Sequence, residues 1–285
     1  MTPVSVQPVD WLIGKLDWGK TLRSWIPTGY ENYVRILHPA YITIGKGFET
    51  RQISVPWATV GQWSGKPVHG ISHIQDLMIR LDGRDWRKQG EGGGEPNQGG
   101  MDGESLSCLL ADLSEGATIL DQILMLIWFG YGGPADAIGL PIKVSEQLTS
   151  SSRQYVLRLG EIASSEREAD RRPWENPPSF WWPADRSWFV SCDIDASCTY
   201  VGGSKELIEQ ILSDPCLETF PANLDDPYGG LYVTSPLAKM DHDYVLPRFH
   251  LWPFRHRFRF RKGRTSDGSA ILYRKKRWWE MRRML

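Results

Sequence analysis

Cysteine is scarce: there are four in 285 residues, and no two stand in the CxxC spacing of a zinc site or a redox motif. Cys192 and Cys198 are close in sequence, but on one continuous strand they would share a face and lie too far apart to bond. The sequence thus predicts four free thiols, Cys108, Cys192, Cys198 and Cys216, in a reducing, cytoplasmic setting. Long apolar runs are missing too. The longest, residues 123–129, is far too short to cross a bilayer. No charged start followed by an apolar stretch marks a secretory leader. Signatures of catalysis are also absent. There is no G-x-S-x-G elbow and no GxxxxGK[ST] loop, and Gly70 stands where a zinc HExxH motif between His69 and His73 needs glutamate. No cofactor and no metal is expected, and no internal repeat is present.

What is abundant is tryptophan, with fourteen residues, most of them before the C-terminal region. Buried indoles remove large apolar areas from water and need a partner for their N–H. They read as core anchors, with an aromatic ligand cage as the alternative. Apolar residues make up 41% and charged residues 24%, enough for a real core. The net charge of −1 hides an asymmetry: residues 248–285 hold thirteen basic and two acidic side chains, and the remainder is acidic. This predicts an N-terminal segment (1–24), one domain (25–235) and a basic aromatic tail (236–285).

Local patterns give the elements. Tyr33-Val34-Arg35-Ile36-Leu37 reads as a strand ended by His38-Pro39, with His38 a structural hydrogen bonder. A helix is predicted over 56–63 with Gly65 as its cap. Residues 71–81 fit either a helix or a strand. Residues 89–104, with seven glycines, read as a flexible loop. Leu106, Leu109, Leu110 and Leu113 form one helical face over 105–113. Strands are expected over 123–129 and 153–159, a charged solvated stretch over 164–172, a helix over 205–212 capped by Ser204, and a strand at 231–233. The fold class that follows is α+β, a mainly antiparallel sheet with short helices packed on one side.

The most informative stretch is Trp181-Trp182-Pro183-Ala184-Asp185-Arg186-Ser187-Trp188, an aromatic-proline corner feeding a strand over 188–195. There Trp188, Val190, Cys192 and Ile194 face one way, and Phe189, Ser191, Asp193 and Asp195 face the other. One face is core; the other is solvent or a site. Asp185 and Arg186 either bind a polar ligand at the strand entrance or pair locally to fix the corner. Asp193 and Asp195, roughly 7 Å apart by strand rise, suit acid–base work or an oxygen-liganded cation, or form a solvated face. Gly202-Gly203-Ser204 is a tight turn whose free amides would suit an anion.

In the tail, Arg255, Arg257, Arg259 and Arg261 alternate with His256, Phe258 and Phe260, which on a strand gives one basic and one aromatic face. Arg274, Lys275, Lys276 and Arg277 extend this chemistry. Such a ribbon suits phosphate contacts and base stacking, or an anionic membrane surface. A solubilising end, or an end translated from a shifted frame, explains the composition equally.

Several blocks also resemble a family of uncharacterised bacterial, mostly actinobacterial, proteins. They are Gly29-Tyr30-Glu31-Asn32-Tyr33-Val34-Arg35-Ile36-Leu37-His38-Pro39-Ala40, Trp57-Ala58-Thr59-Val60, Trp128-Phe129-Gly130-Tyr131-Gly132, the WWPADR corner, and Thr199-Tyr200-Val201-Gly202-Gly203-Ser204. The resemblance spans about residues 25–227 and implies no activity. The expected function is a cytoplasmic binding or interaction protein with a protein partner. The alternatives are nucleic-acid binding through the tail, or a hydrolase using Asp185, Asp193 and Asp195.

Overall fold

The computed structural model describes residues 9, 11–12, 15–16, 21–44, 51–88, 93–115, 122–131, 155–160, 177–229, 261–264 and 270–273. The chain divides into two compact units, Met1–Ala238 and Lys239–Leu285. The first holds β1 (Asn32–Leu37), β2 (Ala40–Ile44), β3 (Arg51–Val55), α1 (Trp57–Ser64), α2 (Ile74–Met78), β4 (Gly93–Gly94) and α3 (Gly103–Glu115). It continues with β5 (Ile123–Trp128), β6 (Tyr155–Gly160), β7 (Pro178–Pro183), β8 (Phe189–Ser191), β9 (Cys198–Gly203), α4 (Lys205–Ser213) and β10 (Glu218–Ala222). In the second unit, β11 (Arg261–Arg264) pairs antiparallel with β12 (Ala270–Tyr273).

Seven strands form one sheet in the order β10-β1-β9-β8-β7-β5-β6, and every pairing is antiparallel. β3, β2 and β4 form a second, smaller antiparallel sheet. The α+β architecture with a mainly antiparallel sheet is therefore present. Pro39 explains the change of sheet: it has no N–H to continue a ladder, so β1 stops at Leu37 and the chain restarts as β2 elsewhere.

Both faces of the large sheet are apolar, so both are covered. On one face Val34, Ile36, Ile123, Met125, Trp181, Val190 and Val201 pack with Leu106, Leu109, Leu110 and Leu113 of α3 and Leu207, Ile208 and Ile211 of α4. On the other, Tyr33, Leu37, Leu124, Leu126, Phe180, Trp182, Phe189 and Tyr200 pack with α1, α2 and the N-terminal Val9, Leu12, Leu16 and Leu22. The helices are thus shared between the two faces, and the described part of residues 1–24 belongs to the core.

Double coverage corrects the reading of residues 188–195. Phe189, Val190 and Ser191 are all fully buried, so neither face of this strand meets water. The strand ends at Ser191, and Ala196 N donates to Asp193 O at 2.9 Å, turning the chain back into β9. The ring-stacked corner is present. Trp181 meets Trp188 edge-on at 5.3 Å, and Trp182 stacks on Phe189 at 5.5 Å.

Helix ends follow their caps. Gly65 takes a left-handed φ of 76° after α1, and Ser204 Oγ accepts from Leu207 N at 3.3 Å before α4. α3 starts at Gly103 because Asp102 Oδ1 accepts from Ser105 N at 2.9 Å. Residues 71–81 resolve into the five-residue α2, whose N-cap is His73. The glycine-rich stretch is not simply a loop: Gly93 and Gly94 pair with Ile42 and Tyr41. A side chain at Gly93 would collide with the Trp86 ring, so glycine lets the strand pass over that indole. Cys108 and Cys216 form a disulfide, which corrects the expectation of four free thiols; Cys192 and Cys198 stay free and buried. A pairing across 108 residues leaves no local spacing to read. No helix among the described residues is long and apolar enough to cross a membrane.

The expected features at 89–92, 164–172 and 231–233 lie outside the described residues. So do Arg255, Arg257, Arg259, Arg274, Lys275, Lys276 and Arg277, whereas Arg261 falls in β11.

Candidate functional site

A pocket of about 320 Å³ opens where the turn after β8 meets the start of α2 and the segment after β10. Three aromatic side chains wall it. Trp25 follows a 3-10 turn at Leu22–Ser24 and stacks on Tyr228 at 4.6 Å. Tyr228 is fixed in turn, its hydroxyl accepting from Asp193 N at 2.9 Å. Trp57 heads α1 and is held at two points: its Nε1 donates to His38 O at 2.6 Å and its backbone N–H to Glu218 Oε2 at 2.5 Å. Glu218 also accepts from Ala58 N at 2.8 Å, so one carboxyl satisfies two of the free amides that begin the helix. Glu218→Ala is expected to cost about 1 to 2 kcal/mol, seen as a lower urea midpoint with the slope unchanged.

Arg35 lies behind the pocket on the same face of β1 as Tyr33 and Leu37. It is 1% exposed. Its Nη1 donates to Gly70 O at 2.6 Å and its Nη2 to Gly229 O at 3.1 Å, and the guanidinium sits 5.6 Å from the Trp57 ring. Gly229 N donates to Tyr200 OH at 3.2 Å. The segment bearing Tyr228 is therefore fixed to the sheet by one buried cation and one buried phenol.

Polar groups complete the lining: Gln75, Gln98, His73, Asp193 and Asp195. Asp193 is buried and its Oδ1 accepts from Asp195 N at 2.9 Å, whereas Asp195 is exposed. Burial holds His73 below the usual histidine range, outweighing the pull of Asp76, so the imidazole is neutral at pH 7. Among the described residues, the lining holds two carboxyl side chains and no lysine or arginine.

Nucleophilic chemistry has no support beside it. Cys192 Sγ lies 4.0 Å from His38 Nε2, a cysteine–histidine contact that resembles a dyad. Burial, however, pushes the Cys192 thiol well up and His38 down to about 4, so neither carries charge at neutral pH. His38 Nδ1 donates to Asn97 O at 2.8 Å, which leaves Nε2 to accept from Thr199 Oγ1 at 2.9 Å. This is the structural bonding expected of it.

The residues singled out in sequence part company here. Asp193 and Asp195 meet at the pocket, in a turn rather than on a strand face. Asp185 and Arg186 do not line it. Asp185 Oδ1 accepts from Ser187 N at 3.0 Å and from its hydroxyl at 2.8 Å, and Arg186 lies 4.8 Å over the Trp11 ring at a φ of 58°. Each fixes the aromatic corner separately. The Ser204 turn caps its own helix, and His69 and His73 share no helix because α2 begins at Ile74. Sequence reasoning missed Trp25, Arg35, Trp57 and Tyr228 as site residues. The usable signals were Arg35, a charge at a core-facing position of an apolar strand, and the abundance of tryptophan that left an aromatic cage open.

The chain matches no family description, no curated protein and no solved structure.

Proposed function

We propose that the chain is a binding protein whose pocket takes a small organic cation, an amine or guanidine with an apolar body. The observation that carries this reading is the meeting of Trp25, Trp57 and Tyr228 with Asp193 and Asp195 around one cavity of ligand size. Aromatic faces attract cations, and carboxylates set the sign. Binding rather than turnover fits the neutral Cys192 and His38 nearby. The proposed family kinship is compatible with it, because Arg35, Trp57 and Tyr200 all fall in the resembling blocks. A cytoplasmic location, also part of this proposal, loses the support of four free thiols, since disulfides persist mainly where thiols are oxidised.

Calorimetric titration with choline, putrescine and agmatine tests it, with glycerol as the uncharged control. At least one cation is expected to bind, and glycerol is not. Asp193→Asn keeps the oxygen that holds the turn and removes the charge. A charge-assisted contact is worth about 1.5 to 3 kcal/mol, so affinity is expected to fall tenfold or more. Equal affinity of Asp193→Asn for every cation would end this reading.

A second reading is nucleic-acid binding through the tail, favoured by the β11–β12 pairing, which places Arg261, Lys262 and Arg264 on one short strand. It predicts affinity that falls steeply with salt and is lost on deleting residues 248–285. Retention unchanged by that deletion would remove it.

A further inference from the structure

A second cluster, on the opposite face of the sheet from the pocket, joins α3 to the connection between α4 and β10. The sulfurs of Cys108 and Cys216 and a carboxylate oxygen of Asp214 lie within 4.8 Å of one another, all three residues partly exposed. Asp112 stands one helical turn beyond Cys108 on α3, and residues four apart share a helix face. It is 8% exposed, and its Oδ2 is buried with no hydrogen-bond partner. Its other oxygen accepts from Gln210 Nε2 at 3.1 Å, and the same nitrogen donates to Glu115 Oε2 at 2.9 Å.

The Gln210 amide thus bridges Asp112 and Glu115, beside the group of two sulfurs and the Asp214 carboxyl. Among the described residues, no ion pair reaches Asp112 or Asp214. Burial and then the facing Asp214 push Asp112 up to about 6, Glu115 adding to the effect, and burial raises Asp214 as well. A buried carboxylate oxygen without a donor is costly. Among the described residues, what the cluster lacks is positive charge.

We propose that Cys108, Cys216, Asp214 and Asp112 form a binding site for a thiophilic divalent metal ion of the zinc class when the two cysteines are reduced, and that the disulfide is the same site in its oxidised, metal-free form. Zinc takes cysteine sulfur and carboxylate oxygen in a four-ligand tetrahedron, and the donor atoms of such a site stand roughly 3 to 4 Å apart. The Asp214 oxygen already lies within 4.8 Å of both sulfurs. Reduction frees the two sulfurs to separate to that scale, and Asp112 supplies the fourth ligand and neutralises its own buried oxygen on the ion. The carboxyls and thiols must be ionised to bind, so affinity falls on acidification. The redox step balances. The two metal-bound thiolates give two electrons to a disulfide oxidant such as oxidised glutathione. The Cys108–Cys216 bond forms, the oxidant's S–S bond breaks to two thiolates, and the metal ion leaves to solvent. Either state ties α3 to the start of β10, so the molecule keeps this tie in oxidising and reducing surroundings alike.

The test uses the full chain, reduced with a phosphine, stripped with EDTA and exchanged into chelator-free buffer, then titrated with Co²⁺ and afterwards Zn²⁺. A thiolate-to-cobalt charge-transfer band is expected in the near ultraviolet, lost as Zn²⁺ displaces the cobalt. The oxidised chain shows none. Cys108→Ser weakens the band and the Cys108→Ser/Cys216→Ser double variant abolishes it, while Asp112→Asn, which preserves shape, weakens Zn²⁺ binding tenfold or more. Zn²⁺ also raises the unfolding midpoint of the reduced chain. The proposal is overturned if the reduced chain gives no band, or if the band survives in the Cys108→Ser/Cys216→Ser double variant and so belongs to Cys192 or Cys198. Unchanged affinity in Asp112→Asn overturns the four-ligand site.

Discussion

Breaking the Cys108–Cys216 bond is expected to lower the unfolding free energy by about 4 to 5 kcal/mol, since the stabilisation grows with loop length and a loop of about 100 residues is worth about 4.7 kcal/mol. The bond closes a loop of 108 residues that runs from α3 to just before β10 and holds five of the seven strands of the large sheet. In the unfolded chain it forbids most separations of those two points. Urea unfolding with and without a reductant, in the presence of EDTA, measures the effect. The reduced protein should also unfold with a steeper slope, because the released chain exposes more surface. A Cys108→Ser/Cys216→Ser double variant should superimpose on the reduced wild type. Curves that coincide with the oxidised protein to within 1 kcal/mol would mean the loop is held as tightly by packing alone. A thiol count in denaturant without reductant should find two reactive groups.

Arg35→Met is expected to cost about 3 to 6 kcal/mol. Methionine replaces the volume, so a cavity is not the main effect. What is lost is a pair of hydrogen bonds from a charged donor, each worth about 1.5 to 3 kcal/mol, to Gly70 O and Gly229 O. Relief from burying a charge works in the opposite direction. It is the smaller effect here, because both carbonyls lose these donors inside the fold. The change should also loosen the segment carrying Tyr228, so cation binding should weaken more than it does in Asp193→Asn. Denaturation and calorimetry on one variant separate the two consequences. A variant as stable as wild type would show that the guanidinium is replaceable filling.

Elements whose periodicity has one meaning were legible. Tyr33 to Leu37, the leucine face of α3 and the Ser204-capped α4 all appear where the pattern placed them, because local spacing and tertiary burial agree there. The 188–195 stretch misled for a physical reason. Its alternation suggested one wet face, but Ser191 and Phe189 lie under a second core layer contributed by α1, α2 and the N-terminus. Asp193 and Asp195 were found as carboxylates but not as parts of a turn. Trp25 and Tyr228, stacked at 4.6 Å, come from opposite ends of the domain, and no local signal relates them. The same holds for Cys108 and Cys216: their partnership is a property of the closed sheet, not of any window of sequence.

The strand order also has a consequence for synthesis. Of the strands of the large sheet, β1 is made first, yet its neighbours β9 and β10 are made last. Until they emerge, an apolar segment with an unused backbone ladder must stay apart from other chains, and such non-local closure is slow. A nascent chain stalled before residue 198 should therefore be a client for holding chaperones, whereas one released after residue 222 can zip its first strand between its last two.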